Sequence, residues 1–314
     1  MTPVRDLATF ALLIGFTWAT PAWGQSLKAP ERDFPQPALG AELWMSTDSE
    51  KNSVVKLTGR TLWRFGGETD YQGIDVERAW FTPQGQHTRE QTRAYLDFAG
   101  SARRTIKWSA KVGTNGHTIL GSGSIRTSDW SKELFVEREI VETPRGVDDG
   151  IYYTMLGASA DLVSDRQDTV SAMAGIQKFT GKNTRIHLRG TYVRVIEPSL
   201  GLSVQLRARY FHSTMPGEFD YYSPREFAQV IPVVQFRRFD HTGWMYLIAV
   251  GYGAQKAAGS HWQAARLADL RLESPKSSNR LQAFAAIQYS NSSLVGAAGN
   301  YNYLMGRLGI TTRF

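Results

Sequence analysis

Between Gly40 and Phe314, apolar residues return at every second position in segment after segment of about ten residues, each closed by a turn signal. That period belongs to strands, whose side chains alternate between two faces. The last segment is clearest. Leu304, Gly306, Leu308, Ile310, Thr312 and Phe314 share one face, and Tyr303, Met305, Arg307, Gly309, Thr311 and Arg313 share the other. Trp244, Tyr246, Ile248, Val250 and Tyr252 likewise oppose Met245, Leu247, Ala249, Gly251 and Gly253. Ile186, Leu188, Gly190 and Tyr192 oppose Arg185, His187, Arg189 and Thr191.

A soluble sandwich alternates too, and three features argue against it. The segments run to about 10 to 13 residues, the length a tilted strand needs to cross a bilayer. Aromatic residues stand at segment ends with aliphatic ones between, as two interfacial girdles require. The polar face carries arginines and small residues. Only a closed barrel lets a sheet satisfy its backbone in lipid. The expected fold is therefore all-β, a transmembrane antiparallel up-and-down barrel of about 16 strands with both termini periplasmic. Strand starts are expected near residues 40, 53, 70, 89, 105, 117, 131, 151, 168, 183, 199, 226, 243, 262, 279 and 300.

Parity supports that strand number. The longest connections expected, 142–150, 213–225, 254–261 and 291–299, all follow odd strands, and 164–167 and 197–199 follow even ones. Asn115-Gly116 marks a tight hairpin. Two strands fit poorly: in Trp262–Leu272 either register puts Arg or Asp among the lipid-facing set, and in Lys132–Val141 Arg138 falls there, so either a bulge resets each strand or the strand count is off by two. Pro232 removes a ladder donor from its strand, so a bulge or kink is expected there as well.

Composition excludes other classes. A mean hydropathy of -0.33 rules out a helical membrane bundle, which needs several apolar runs of about 20 residues. With 9 Trp, 13 Tyr and 15 Phe the chain is no disordered polymer, and without Cys it has no disulfide or thiolate site. The one long apolar run, Leu7 to Thr20, follows Arg5 and precedes Ala22-Trp23-Gly24. Residues 1–24 thus have the form of a secretory signal peptide, against the alternatives of a buried helix or a single anchor. Residues 25–39, with Pro30, Pro35 and Pro37, read as an extended periplasmic tether, and residues 40–314 as the barrel.

The charge of +7 has a place to go. Arg60, Arg64, Arg93, Lys107, Arg185, Arg189, Arg207, Arg209, Arg237 and Arg307 fall on the inward face, with Lys56 and Lys111, against few acids such as Asp97 and Asp161. A basic lumen concentrates anions, although each arginine is equally suited to bracing the wall through a carboxylate. Tyr95, Phe211, Tyr221, Tyr222 and Tyr303 are candidate aromatic contacts for a sugar, or plain packing residues. For catalysis there is only His212, Ser213 and Asp220 on one outer connection, the sole opening for a rim-active enzyme. No metal-ligand spacing, cofactor motif or nucleic-acid motif stands out.

The run Tyr221-Tyr222-Ser223-Pro224-Arg225-Glu226-Phe227, followed by Ile231-Pro232-Val233, Arg237-Arg238, Gly243-Trp244 and Gly251-Tyr252-Gly253, resembles one group. These are the outer-membrane barrels of bacterial exopolysaccharide secretion, notably the C-terminal barrel of the cellulose synthase operon protein C and the poly-N-acetylglucosamine export porin. The resemblance is specific over residues 220–255, where Tyr222, Ser223 and Pro224 carry it. It implies a pore in the outer membrane of a Gram-negative bacterium that passes a nascent polysaccharide, with no cofactor. Large members carry helical repeats before the barrel; this chain shows no 34-residue helical period. A separate periplasmic repeat protein and an inner-membrane glycan synthase are then the implied partners, beside outer-membrane lipid and lipopolysaccharide. The alternative is a diffusion porin for small anionic or polar solutes. Phe314, with Gly309 before it, resembles the terminal signal read by the barrel assembly machinery.

Overall fold

The computed structural model describes residues 35–103, 105–165, 167–275, 280–293 and 300–314. The stretch read as a signal peptide, the stretch read as a tether up to residue 34 and most of the 291–299 connection lie outside the described residues. The first eight strands are β1 (Gln36–Asp48), β2 (Ser53–Gly67), β3 (Asp70–Thr82), β4 (Arg89–Ala102), β5 (Ile106–Thr114), β6 (Ile119–Thr127), β7 (Lys132–Ile140) and β8 (Tyr152–Ser164). The second eight are β9 (Asp168–Phe179), β10 (Thr184–Glu197), β11 (Leu202–Ser213), β12 (Glu226–Phe239), β13 (Met245–Ala257), β14 (Gln263–Glu273), β15 (Leu281–Ser293) and β16 (Asn300–Arg313). One short helix, α1 (Pro144–Asp148), lies between β7 and β8.

Each strand pairs antiparallel with its sequence neighbours, and β16 closes onto β1 from Ala38↔Arg313 to Asp48↔Tyr303. The result is a closed 16-stranded barrel with both ends of the sheet at one rim. β1 begins at Gln36, inside the stretch read as tether, because the ladder continues: the Phe314 N–H donates to Pro37 O at 3.1 Å. The barrel is apolar outside. Leu57, Val76, Val112, Leu156, Val250 and Leu308 stand exposed on the exterior, while Asp75, Arg93, Asp97, Gln177 and Gln205 are buried on the interior. That inversion suits a hydrocarbon solvent and no aqueous one.

Neither awkward strand bulges. Both β6–β7 and β13–β14 keep constant register, so Arg138 and Arg266 do face outward. Both sit near the rim opposite the chain ends, where a long cation reaches polar ground. Arg138 donates to Thr154 Oγ1 at 2.9 Å and to Ile119 O at 3.2 Å. Pro232 causes no bulge either. Its pairing with Leu206 on β11 is intact, and toward β13 the ladder lapses between Val230↔Ala254 and Val233↔Gly251 without a shift. Glycine makes this possible: a Cβ on Gly253 would lie 2.1 Å from Val230 O. The connections differ in one place. β13 runs on to Ala257, which leaves 258–262 short, whereas 141–151 and 214–225 are long.

Candidate functional site

The lumen has two unlike walls. From β1 to β8 the cations of the middle and far part of the lumen are matched, whereas Lys107 and Arg126 near the chain ends lie over the Trp130 ring. Arg60 donates to both oxygens of Asp75 at 2.9 Å and to Asp97 at 3.4 Å, and Lys111 reaches Asp75 at 2.9 Å. Arg93 donates to Glu77 at 3.0 Å and lies 3.5 Å from Glu139. Lys56 pairs with Glu142, and Arg307 on β16 donates to Glu42 at 2.7 Å. Asp161 accepts from Ser171 Oγ at 2.6 Å. These pairs brace the wall, some between adjacent strands such as Arg60–Asp75 and Arg307–Glu42, others over longer reach such as Lys111–Asp75 and Arg93–Glu139.

Across the barrel the balance shifts. Arg185, Arg189, Arg207, Arg209 and Arg237 face inward from β10, β11 and β12, and the inward Asp269 and Glu273 of β14 lie toward Arg207 and Arg237. Among the described residues no carboxylate faces inward from β9 through β13. One expected lumen cation, Arg64, stands outside, and another, Lys107, keeps its inward face but lies at one end. A register shift between Leu62 and Arg64 turns Arg64 outward, where it bonds Asp70 at 3.1 Å. Lys107 lies toward the rim of the chain ends, 5.6 Å over the ring of Trp130 in the 128–131 turn.

Two connections cover the lumen at the rim opposite the chain ends. The 141–151 segment leaves β7 and crosses to the far wall. Its Glu142 reaches Lys56 on β2 and Arg93 on β4, and Asp148 accepts from Arg89 at 2.6 Å. Val147 packs against inward Val54, Ala79 and Phe81 as well as Tyr95 and Leu120. The 214–225 segment covers the other half. Tyr221 stacks on Phe179 at 4.3 Å within a buried cluster holding Phe135, Tyr153, Met155 and Met173. Tyr222 O accepts from Arg185, and its ring meets Phe211 and Phe227. Ser223 Oγ accepts from Gly217 N at 3.0 Å, and Pro224 leads into β12.

One carboxylate joins the two segments. Asp220 accepts from Thr143 Oγ1 at 2.6 Å and from the Arg145 N–H at 2.8 Å. Thr143 Oγ1 also accepts from Gly146 N at 2.9 Å, so the hydroxyl that caps α1 closes the latch. Burial holds the Asp220 carboxyl above the usual aspartate range, against the pull of the Thr143 and Arg145 donors. A latch that keeps this proton more tightly when shut than when open favours the shut form as pH falls. Latch closure is thus expected to weaken as pH rises from the ordinary carboxylate value through the raised one. Accessibility of a cysteine in place of Ser223, 6% exposed in the shut form, to a thiol reagent, followed against pH, checks this; a flat profile contradicts it.

The aromatic candidates face inward, yet Tyr95, Phe211, Tyr221 and Tyr303 are each no more than 5% exposed, so none offers an open stacking face in this closed form. The rim trio is not assembled. His212 faces outward toward Glu226, Ser213 accepts from Arg185 Nε at 3.2 Å, and Asp220 holds the latch. No group of three metal-ligating side chains occurs among the described residues. The latch itself escaped the sequence reading, since its partners stand 75 and 77 residues apart in connections without periodicity. Their length was the only signal.

No protein-family model and no curated protein matches the chain. Among solved structures, a bacterial polysaccharide outer membrane secretin aligns over 88% of this chain and 98% of its own, with a TM-score of 0.63 and 14% identity. The outer membrane protein OprD from Pseudomonas aeruginosa aligns over 92% and 96%, with a TM-score of 0.43 and 8% identity. The first likeness shows a shared fold. With the apolar exterior it assigns this barrel to the outer membrane of a Gram-negative bacterium.

Proposed function

We propose that the chain is an outer-membrane channel through which a bacterial exopolysaccharide leaves the cell, with the two latched segments as its outer gate. The observation that carries this reading is the lumen. It is polar, it runs inside a barrel shaped like a polysaccharide secretin, and segments that could swing away cover one end. The covering segment 214–225 is also the stretch whose Tyr222-Ser223-Pro224 resembles the secretion barrels. Passage needs no chemistry on the substrate, so the channel is no enzyme. On this reading residues 1–24 direct secretion, the tether and both chain ends lie in the periplasm, and Phe314 with Gly309 serves the assembly machinery. A periplasmic repeat protein and an inner-membrane synthase would deliver the polymer. The inward cluster of Arg185, Arg189 and Arg209 supports a second reading, a diffusion porin for small anions.

Planar-bilayer recordings of the refolded barrel separate the two. Brief openings blocked by oligosaccharides in a length-dependent way support export. A steady conductance indifferent to oligosaccharides favours the porin, and its loss of both properties together would sink the channel.

A further inference from the structure

We propose that Arg185, Arg189 and Arg209 form a subsite for the carboxylate groups of an acidic saccharide, an inference that rests on the channel reading above. Arg189 and Arg209 stand directly opposite each other on β10 and β11, an arrangement that repels. Arg185 and Arg209 share the ring of Phe211, at 4.6 and 5.5 Å. None of the three makes an ion pair among the described residues, and the Nε atoms of Arg189 and Arg209 have no partner. Cations brought together without a counter-charge are a place for an anion, and a guanidinium fork matches a carboxylate in two bonds.

The neighbouring groups point to a sugar. His187, only 3% exposed, lies between Arg185 and Arg189 on the same face of β10. Its Nε2 meets Gln177 Oε1 at 2.9 Å, so that nitrogen carries the proton and Nδ1 is left as an unpartnered acceptor. Gln177, 1% exposed, keeps an unpartnered Nε2 donor. One acceptor and one donor beside a cluster of guanidiniums suit the hydroxyls and carboxylate of a uronic acid residue better than a bare inorganic anion.

The test is calorimetric titration of the refolded full barrel in detergent with a tri-uronate, with its carboxyl-reduced neutral counterpart and with acetate. The tri-uronate is expected to bind, more weakly as salt rises. The R189Q/R209Q variant is expected to bind it roughly tenfold or more weakly, because two charge-assisted contacts are gone. R238Q, which removes one positive charge from the exterior, is expected to bind as wild type. Should R189Q/R209Q not fold, R189K/R209K keeps the charges without the fork and is expected to weaken binding less. Equal binding of the neutral trisaccharide, saturation by acetate at the same concentration, or unchanged affinity in both arginine variants overturns the subsite. Conductance of the same preparation keeps the two ideas apart. A silent barrel that still binds the tri-uronate tells against the channel alone, and a conducting barrel with unchanged R189Q/R209Q binding tells against the subsite alone.

Discussion

Replacing Asp220 by alanine is expected to raise the fraction of time the pore conducts by roughly ten- to a hundredfold. Asp220 is the joint between the 141–151 and 214–225 segments, through Thr143 Oγ1 at 2.6 Å and the Arg145 N–H at 2.8 Å. A hydrogen bond contributes about 0.5–1.5 kcal/mol net, and two are lost here. Losing about that much from the shut form shifts a two-state equilibrium by the factor stated. The Tyr221–Phe179 stack at 4.3 Å survives the change, so the segments are loosened and not unfolded. Because burial raises the carboxyl, wild type and variant should differ most in mild acid, where the shut form holds its proton. Thr143→Ala removes one of the two bonds and frees Gly146 N from its cap, so it should open the pore as well. Single-channel open probability reads all three chains. An unaltered D220A pore would mean that the two segments move independently.

The second large effect concerns stability. Asp75 is 0% exposed and holds Arg60 and Lys111 together, each at 2.9 Å. Asp75→Ala leaves two inward cations with Asp97 as the nearest counter-charge, 3.4 Å from Arg60. Breaking a buried pair by removing one partner costs about 3–5 kcal/mol. The urea midpoint of the refolded barrel should fall accordingly. Asp97→Ala should cost less, because Asp97 receives only the longer Arg60 bond and Tyr71 OH at 3.2 Å. If D97A proves as damaging as D75A, Asp97 carries as much of this wall's bracing as Asp75.

The barrel was legible because its signal repeats. Alternation such as that of Leu304 to Phe314 is dictated by the pleat, and sixteen copies of it leave little room for error in strand number. Arg64 shows where that logic stops. A bulge adds one residue without disturbing the pattern on either side, yet it flips every side chain beyond it. Arg138 and Arg266 show the converse: the conflict was visible, but depth in the membrane resolves it, and depth is not written in a period of two. The site lay further from reach. The inward arginines of β10 and β11 follow from alternation, whereas which of them meet a carboxylate depends on which strands are neighbours across the lumen. Tyr221 and Tyr222 were named, but their burial comes from a connection folding back, which no periodicity announces.

Closure of β16 onto β1 also bears on how the cell tells a finished product from an unfinished one. Glu42 and Arg307 stand 265 residues apart, and their bond forms only when the last strand arrives. Until then β1 and the newest strand each display a row of unpaired amides and carbonyls, the surface that invites wrong partners and proteases. Incompleteness is thus advertised along the whole length of a seam. The same seam, once sewn, withdraws the advertisement in a single step, so that quality control can act on one yes-or-no feature of the backbone and need not inspect the lumen at all.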